Sequence, residues 1–586
     1  MTREETGLVQ RIPKQDAEDI YTSDGSVNLK GEPSIRAKSG GWKACPFILG
    51  NECCERLAYY GIGTNLVVYL TNVLHQSNST AATNVTNWSG TCYITPLIGG
   101  FVADAFLGRY WTIAVFSTVY CIGMLLLALS ASLHQLRPPP CASNGFCPKP
   151  EGAQIGVFYL ALYLVALGTG GIKPCVSSFG ADQFDENDVD EAKKKTSFFN
   201  WFYFSINIGA LISASVLVYV QNNVSWGWGF GIPAMAMGLA ICFFFFGTPR
   251  YRHQKPKGSP LTKIFQVFVA ALKKFRVPSH NSDMYEIDEG ELGRRKLQHT
   301  AGFRCLDKAA IRTDSDVPPS SPWRLVTVTQ VEEVKLLIRL LPIWVTSIVF
   351  STVYAQMSTL FVEQGGVMDR RVGPHFTVGA ATMTIFDTIA VLIWVPIYDR
   401  ILVPFVRRIT GDVRGFTQLQ RMGIGLVVSI FSVMAAAVVE IERLKVARKK
   451  GLVDDGSAVP LSVFWQIPQY FFIGAAEVFF FIGQIEFFYD QSPDSIRSLG
   501  SALSLTTVAL GNYLSSLLVT IIGDITTHNG KVGWIPDNLN KGHLDYFFWL
   551  LVVVSFLNFL AYLVCARWFT YKKIDRTSKK VDIEQS

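Results

Sequence analysis

Glu52, Glu55, Arg56 and Tyr59 follow one another at the i, i+3, i+4, i+7 spacing that puts side chains on one stripe of a helix. Two carboxylates on that stripe can gain or lose a proton, and the guanidinium beside them can hold either one or an outside anion. Lys173, in Gly168-Thr169-Gly170-Gly171-Ile172-Lys173-Pro174, and Glu477, in Ile473-Gly474-Ala475-Ala476-Glu477-Val478, are isolated charges in apolar surroundings. The element that must carry the stripe is the apolar run 45–74. About 20 helical residues cross the ~30 Å hydrocarbon core of a bilayer, so this run is long enough to span it. A charge at the bilayer centre costs ~2.5–3.5 kcal/mol even on insertion scales. Charges there imply a watery cavity within a helix bundle, which a lipid-facing helix does not offer.

The composition agrees. Of 586 residues, 49% are hydrophobic and only 17% charged, against about 25% charged in soluble domains. This indicates a polytopic membrane protein. The net charge of +7 comes mainly from loops and the C-terminal tail, with no basic patch on a folded domain to suggest nucleic acid. The first forty residues lack an apolar run, which argues against a cleaved signal peptide.

Twelve apolar segments follow in order: 46–74, 87–106, 111–133, 155–178, 198–220 and 228–248, then 334–363, 374–398, 417–440, 461–488, 498–523 and 544–568. The predicted fold class is an all-α membrane protein of 12 transmembrane helices in two pseudo-symmetric six-helix halves. The predicted divisions are an N-terminal tail 1–45, a first bundle 46–248, a linker 249–333, a second bundle 334–568 and a C-terminal tail 569–586. The Lys/Arg bias places Arg109, Lys193, Lys194, Lys195, the linker and the last tail on the cytosolic side, with both termini. Arg443, Lys445, Arg448, Lys449 and Lys450 fall on the wrong side of that count. Within the linker, 261–275 has helical amphipathic spacing and reads either as a helix on the inner leaflet or as a bridge between halves. Most of the eleven cysteines lie in apolar runs as small buried hydrophobes. Cys141 and Cys147 flank a polar loop and are a candidate disulfide. Asn78, Asn84, Asn87 and Asn223 begin N-x-Ser/Thr sequons.

Gly100-x-x-x-Asp104-x-x-x-Gly108-Arg109 joins segments two and three and resembles the loop signature of the major facilitator superfamily. Its glycines permit close helix approach, while Asp104 and Arg109 can lock neighbouring helices in one state. Together with Glu52-x-x-Glu55-Arg56, the run Phe198-Phe199-Asn200-Trp201-Phe202-Tyr203-Phe204-Ser205-Ile206-Asn207-Ile208-Gly209, the stretch Gln484-Ile485-Glu486-Phe487-Phe488-Tyr489 and Gly511-Asn512-Tyr513-Leu514, it resembles the proton-coupled oligopeptide transporters. The likeness runs over 42–568, in the plant branch of nitrate and peptide carriers, nearest its di- and tripeptide carriers. The resemblance implies the major facilitator fold, with Glu52, Glu55 and Lys173 coupling protons through a carboxylate–lysine pair. It implies that Arg56 and Lys173 receive a peptide carboxylate and Glu477 its ammonium. Tyr59, Tyr93, Asn207, Tyr354, Gln356 and Asp387 complete the substrate-binding set, although as wall residues several could equally be packing.

Some positions depart from the family pattern. Ala355 stands where many relatives carry an aspartate before Gln356, and Asp387 where many have an asparagine; Asp387 is a candidate to replace the missing acid in part. Thr86 replaces a proton-sensitive histidine of animal carriers. Tyr354 replaces a histidine of the nitrate-carrying relative, and a phenol does not attract a lone anion as an imidazolium does. Thr112 matches a phosphorylated position of that relative but reads equally as an ordinary helix-start threonine. The expected function is proton-driven symport of di- and tripeptides by alternating access, in a monomeric unit whose partners are protons, peptide and bilayer. The alternatives are a proton-coupled carrier of nitrate, another plant anion or a hormone, and a non-transporting peptide sensor. No enzyme, cofactor or metal is expected: no phosphate-binding G-x-x-x-x-G-K-[ST] or H-E-x-x-H motif occurs. The N-terminal tail has only a poor acidic–dileucine match at Glu4, Glu5 and Leu8, which favours the plasma membrane over the vacuolar one.

Overall fold

The computed structural model describes residues 21–572 except 77, 140–147, 149, 186–187, 256–259, 278–283, 287–296, 314–320, 374–375, 412–414, 455–457, 494–496, 528–531 and 537. The candidate disulfide of Cys141 and Cys147 lies outside these residues. Among the described residues, twelve long helices account for the apolar segments. The first six are α1 Cys45–Gly63, α2 Asn78–Val102, α3 Gly108–Ser132, α4 Gly152–Ala181, α5 Val189–Ile212 and α6 Trp226–Phe246. The second six are α7 Val328–Ala355, α8 Ile385–Ile397, α9 Gln418–Lys449, α10 Ile467–Gln491, α11 Arg497–Thr526 and α12 Leu544–Trp568. Several are continued by shorter helical pieces, such as Leu66–Asn72 after α1 and Leu360–Gly366 after α7. Ten described stretches are long and apolar enough to cross a membrane, with α2 and α3 running together as one. α1 falls short of that standard because it carries Glu52, Glu55 and Arg56.

Polar caps set the helix starts where the chain turns. Asp188 accepts from the Asp190 and Glu191 amides at the start of α5. Thr327 with Gln330 and Thr417 with Gln420 form reciprocal capping boxes at α7 and α9. Such caps satisfy the amides a helix leaves open at its first turn.

The linker changes partner partway along. The segment after α6 belongs to the first half: Val27 and His253 exchange two backbone hydrogen bonds of 3.0 and 2.8 Å, and Arg252 pairs with Glu191 at 2.7 Å. Burial pushes the His253 imidazole down to about 4, so it is neutral there. Beyond the gap, the linker helix Pro260–Lys273 packs Val267, Ala270 and Ala271 against Val331 and Val334 of α7. Its Leu261, Phe265, Phe268 and Leu272 are exposed on another face. At 100° per residue that stripe lies roughly 130° around from the packed one. The helix therefore packs on the second half and, among the described residues, leaves an apolar side exposed.

Two of the five basic residues that broke the orientation pattern, Arg443 and Lys445, have local partners. Arg443 is fully buried on α9, bonded to Glu440 at 2.6 and 2.9 Å and to the Leu539 carbonyl at 3.0 Å. Gln364 donates to the same Glu440 at 3.0 Å. The exposed Lys445 pairs with Glu442 at 2.7 Å. The Arg443 charge is spent inside the bundle. Removing one partner of a buried pair costs ~3–5 kcal/mol because the other charge is left uncompensated. Glu440→Ala is therefore expected to lower the thermal unfolding midpoint of the purified protein clearly, while Glu442→Ala, in an exposed pair, should leave it nearly unchanged.

Candidate functional site

Glycines in α4 decide where Lys173 points. A Cβ on Gly170 would come within 2.7 Å of Thr95, and one on Gly168 within 2.6 Å of Tyr120, so α4 lies closer to α2 and α3 than any larger residue would allow. The lysine three residues on is thereby held in the interior, 3% exposed. Its Nζ lies 3.7 Å from the ring centre of Tyr59 and 4.4 Å from that of Tyr93, and it makes no hydrogen bond among the described residues. Aromatic faces attract a desolvated cation by up to ~2 kcal/mol or more.

Glu52 and Glu55 on α1 are fully enclosed. Arg56 Nε donates to Glu52 at 2.8 Å and stands 3.2 Å from Glu55. The pairing that the sequence assigned to Lys173 is thus made in this state by Arg56, with Lys173 within electrostatic reach of both carboxylates. This first cluster holds two carboxylates and two cations.

The second half contributes Glu477 from α10 and Asp387 from α8, 2% and 4% exposed. Gly474, one turn before Glu477, lets α8 approach: a Cβ there would meet the Asp387 backbone at 2.6 Å and its Oδ1 at 3.0 Å. The two carboxylates are close enough to interact electrostatically. Tyr203 of α5 reaches across from the first half, its hydroxyl donating to Glu477 at 2.8 Å. Tyr60 of α1 is within electrostatic reach of both Arg56 and Glu477, and Tyr354 of both Glu477 and Asp387. The two clusters therefore face one shared interior, walled by phenols.

Other candidate residues are placed differently. The Asn207 amide donates to the Tyr203 carbonyl of its own helix at 3.0 Å. Gln356 is fully buried and bonds Ser515 of α11 at 2.8 Å, so its amide nitrogen ties α7 to α11. Thr112 is buried, donating to the Gly108 carbonyl at 2.9 Å. The cluster of His299, Asp307 and Glu332 at the base of α7 already encloses the Lys335 ammonium, 2.6 Å from Asp307 and 2.8 Å from Glu332.

Asp104 and Arg109 sit at a junction of the halves, on the side that carries the linker. The Asp104 carboxylate accepts from the Leu499 amide at 2.9 Å, capping α11 of the other half. A Cβ on Gly100 would stand 2.8 Å from the Ser498 carbonyl oxygen, which explains the glycine. Arg109 pairs with Asp182 at the end of α4 and donates to Ser498 at 2.8 Å. Tyr489 of α10 donates to the same Asp182 at 2.6 Å. Further cross-links on this side are Lys195 to Asp490 at 2.6 Å, Thr196 to Glu486 at 2.8 Å and Asn200 to Asp399 at 2.8 Å. Sequence reasoning gave Tyr203 and these partners no role. A charge such as Glu486 within the apolar segment 461–488 was the available signal.

A model of the POT family matches residues 110–535. The chain is 60% identical over 563 residues to protein NRT1/PTR FAMILY 8.1 of Arabidopsis thaliana, covering 95% of this chain and 98% of that one. It is 43% identical over 570 residues to NRT1/PTR FAMILY 5.1 of the same plant, covering 96% of each. Among solved structures, an auto-inhibited POT family peptide transporter shares the fold at a TM-score of 0.58 and 24% identity, over 91% of this chain and 98% of that one. The POT family transporter PepTSo does so at 0.59 and 23%, over 89% and 97%. Twelve helices in two halves around a buried charged interior are thus the fold of these transporters, and the chain belongs to the POT family, in its NRT1/PTR branch, as a membrane transporter and not an enzyme.

Proposed function

We propose that this transporter is a proton-coupled symporter of di- and tripeptides that works by alternating access between its halves. The observation that carries the reading is the division of charge across the shared interior. One wall offers Arg56 and Lys173 alongside carboxylates; the other offers Glu477 and Asp387 with no lysine, arginine or histidine in ion-pair contact among the described residues. A short peptide is a dipole with an anionic and a cationic end. A site that reads only those ends leaves the side chains to looser contacts and accepts many sequences. A lone anion such as nitrate would face an acidic pair with no basic side chain in ion-pair contact among the described residues.

Proton coupling follows from competition for the guanidinium. A peptide carboxylate that takes Arg56 leaves Glu52 and Glu55 short of a counter-charge. Lys173 can leave its aromatic seat to supply one, and a proton can supply the other. Low dielectric magnifies both effects. Each chain carries both halves, so a monomer is a complete unit. The Lys/Arg bias puts the linker and termini in the cytosol, and we place the protein in the plasma membrane.

The test is uptake of a labelled dipeptide into oocytes at two external pH values, with nitrate as competitor. Acid-stimulated peptide uptake insensitive to nitrate is expected; nitrate uptake without peptide uptake would overturn the reading. Glu477→Gln should weaken peptides with a free amino terminus by about a hundredfold, the ~3 kcal/mol of a buried charged hydrogen bond. N-acylated peptides should change far less. Equal losses would remove Glu477 as the ammonium anchor.

A further inference from the structure

The four interior carboxylates outnumber the two interior cations, and the excess lies wholly on Asp387 and Glu477. Each buries an oxygen, Asp387 Oδ1 and Glu477 Oε1, that has no hydrogen-bond partner among the described residues. The groups that face them are hydroxyls: Tyr203 on α5, donating to Glu477, with Tyr354 on α7, Tyr60 on α1 near Glu477 and Tyr470 on α10 near Asp387. Two like charges buried side by side without a counter-ion cannot both persist, and the least costly remedy is a proton held between them.

We infer that Asp387 and Glu477 form a proton-holding carboxylate pair that substrate ammonium and protons contend for, so that the second half titrates in opposition to the first. This rests on the reading that the peptide ammonium binds at Glu477. The exchange is balanced: the ammonium enters, one carboxylic acid O–H gives up its proton to the chamber water, and the freed carboxylate pairs with the ammonium. Acid outside the membrane then does two opposed things. It drives the cycle through Glu52 and Glu55, and it weakens binding of the amino terminus at Asp387 and Glu477. Asp387→Asn keeps the shape and one acceptor oxygen but removes the second acid, so Glu477 need no longer share.

The experiment measures KM and maximal rate of uptake for a free-amino dipeptide and its N-acetyl form between external pH 5 and 7.5. In the unaltered protein the free-amino KM should rise as pH falls while the maximal rate rises, and the N-acetyl KM should not follow. Asp387→Asn should flatten the rise in KM at least about threefold. A ratio of free-amino to N-acetyl KM that does not change with pH in the unaltered protein overturns the inference, whether or not the variant folds. So does an Asp387→Asn profile that matches the unaltered one. Absence of dipeptide uptake at any pH would instead sink the peptide reading itself.

Discussion

Lys173→Ala is expected to abolish pH-driven uptake while the protein still reaches the membrane. The lysine is enclosed, makes no hydrogen bond among the described residues and rests on two aromatic faces. A buried ammonium so loosely held is mobile in energy even where it is fixed in position, since an ion pair with either nearby carboxylate competes with its present seat. On the proposed scheme, Glu52 and Glu55 then share only Arg56, and no second cation is left to trade places with a proton. The loss should be at least about tenfold, the effect of 1.4 kcal/mol, with surface labelling unchanged. Normal proton-driven uptake in this variant would refute the coupling scheme.

The second large effect is expected at the junction on the linker side. Arg109 neutralises Asp182 and lies 3.7 Å from Asp104, all within the closed contact between halves. Arg109→Ala takes the near cation from Asp104 and, among the described residues, leaves Asp182 only Arg497 as a cation, 3.9 Å away, at ~3–5 kcal/mol. The transporter can shed much of that by parting the halves there and letting water in. A cost of ~3 kcal/mol corresponds to a shift of about a hundredfold in the balance of conformations. Cys175, fully buried on α4 two turns before Asp182, reports it: its reaction with a thiol reagent supplied from the linker side should accelerate by about that factor. An unchanged rate, with peptide mapping to single out this cysteine, would mean that the junction is a brace and does not control opening.

Much of this was legible in the chain. Isolated charges in apolar runs have no cheap place in a bilayer, so Glu52, Arg56, Lys173 and Glu477 announced an interior before any coordinates. The glycines of the Asp104 motif announced a close approach, and the structure identifies what approaches: the start of α11. What stayed hidden was pairwise. Nothing local says that Arg56, four residues from Glu52, takes the carboxylates while Lys173 lies on tyrosines, because that choice depends on how three helices meet. Tyr203 was hidden for the same reason. A tyrosine in an aromatic helix reads as packing until the opposing helix supplies an acceptor. Arg443 carries little weight in the orientation count, because a charge neutralised by a neighbour one turn away no longer reports on the membrane.

The handover within the linker has a mechanical consequence. Up to Gln254 the chain is fastened on the first half, and from Ile264 it packs against the second. By sequence only about ten residues separate the two attachments, so in the proposed alternating-access cycle the length that joins the halves is far shorter than the whole linker. Doubling the length of such a tether costs only ~0.6 kcal/mol of closure entropy. Inserted residues at that one place should thus be borne with little harm, whereas the same insertion inside either fastened stretch would pry a cover from its own bundle.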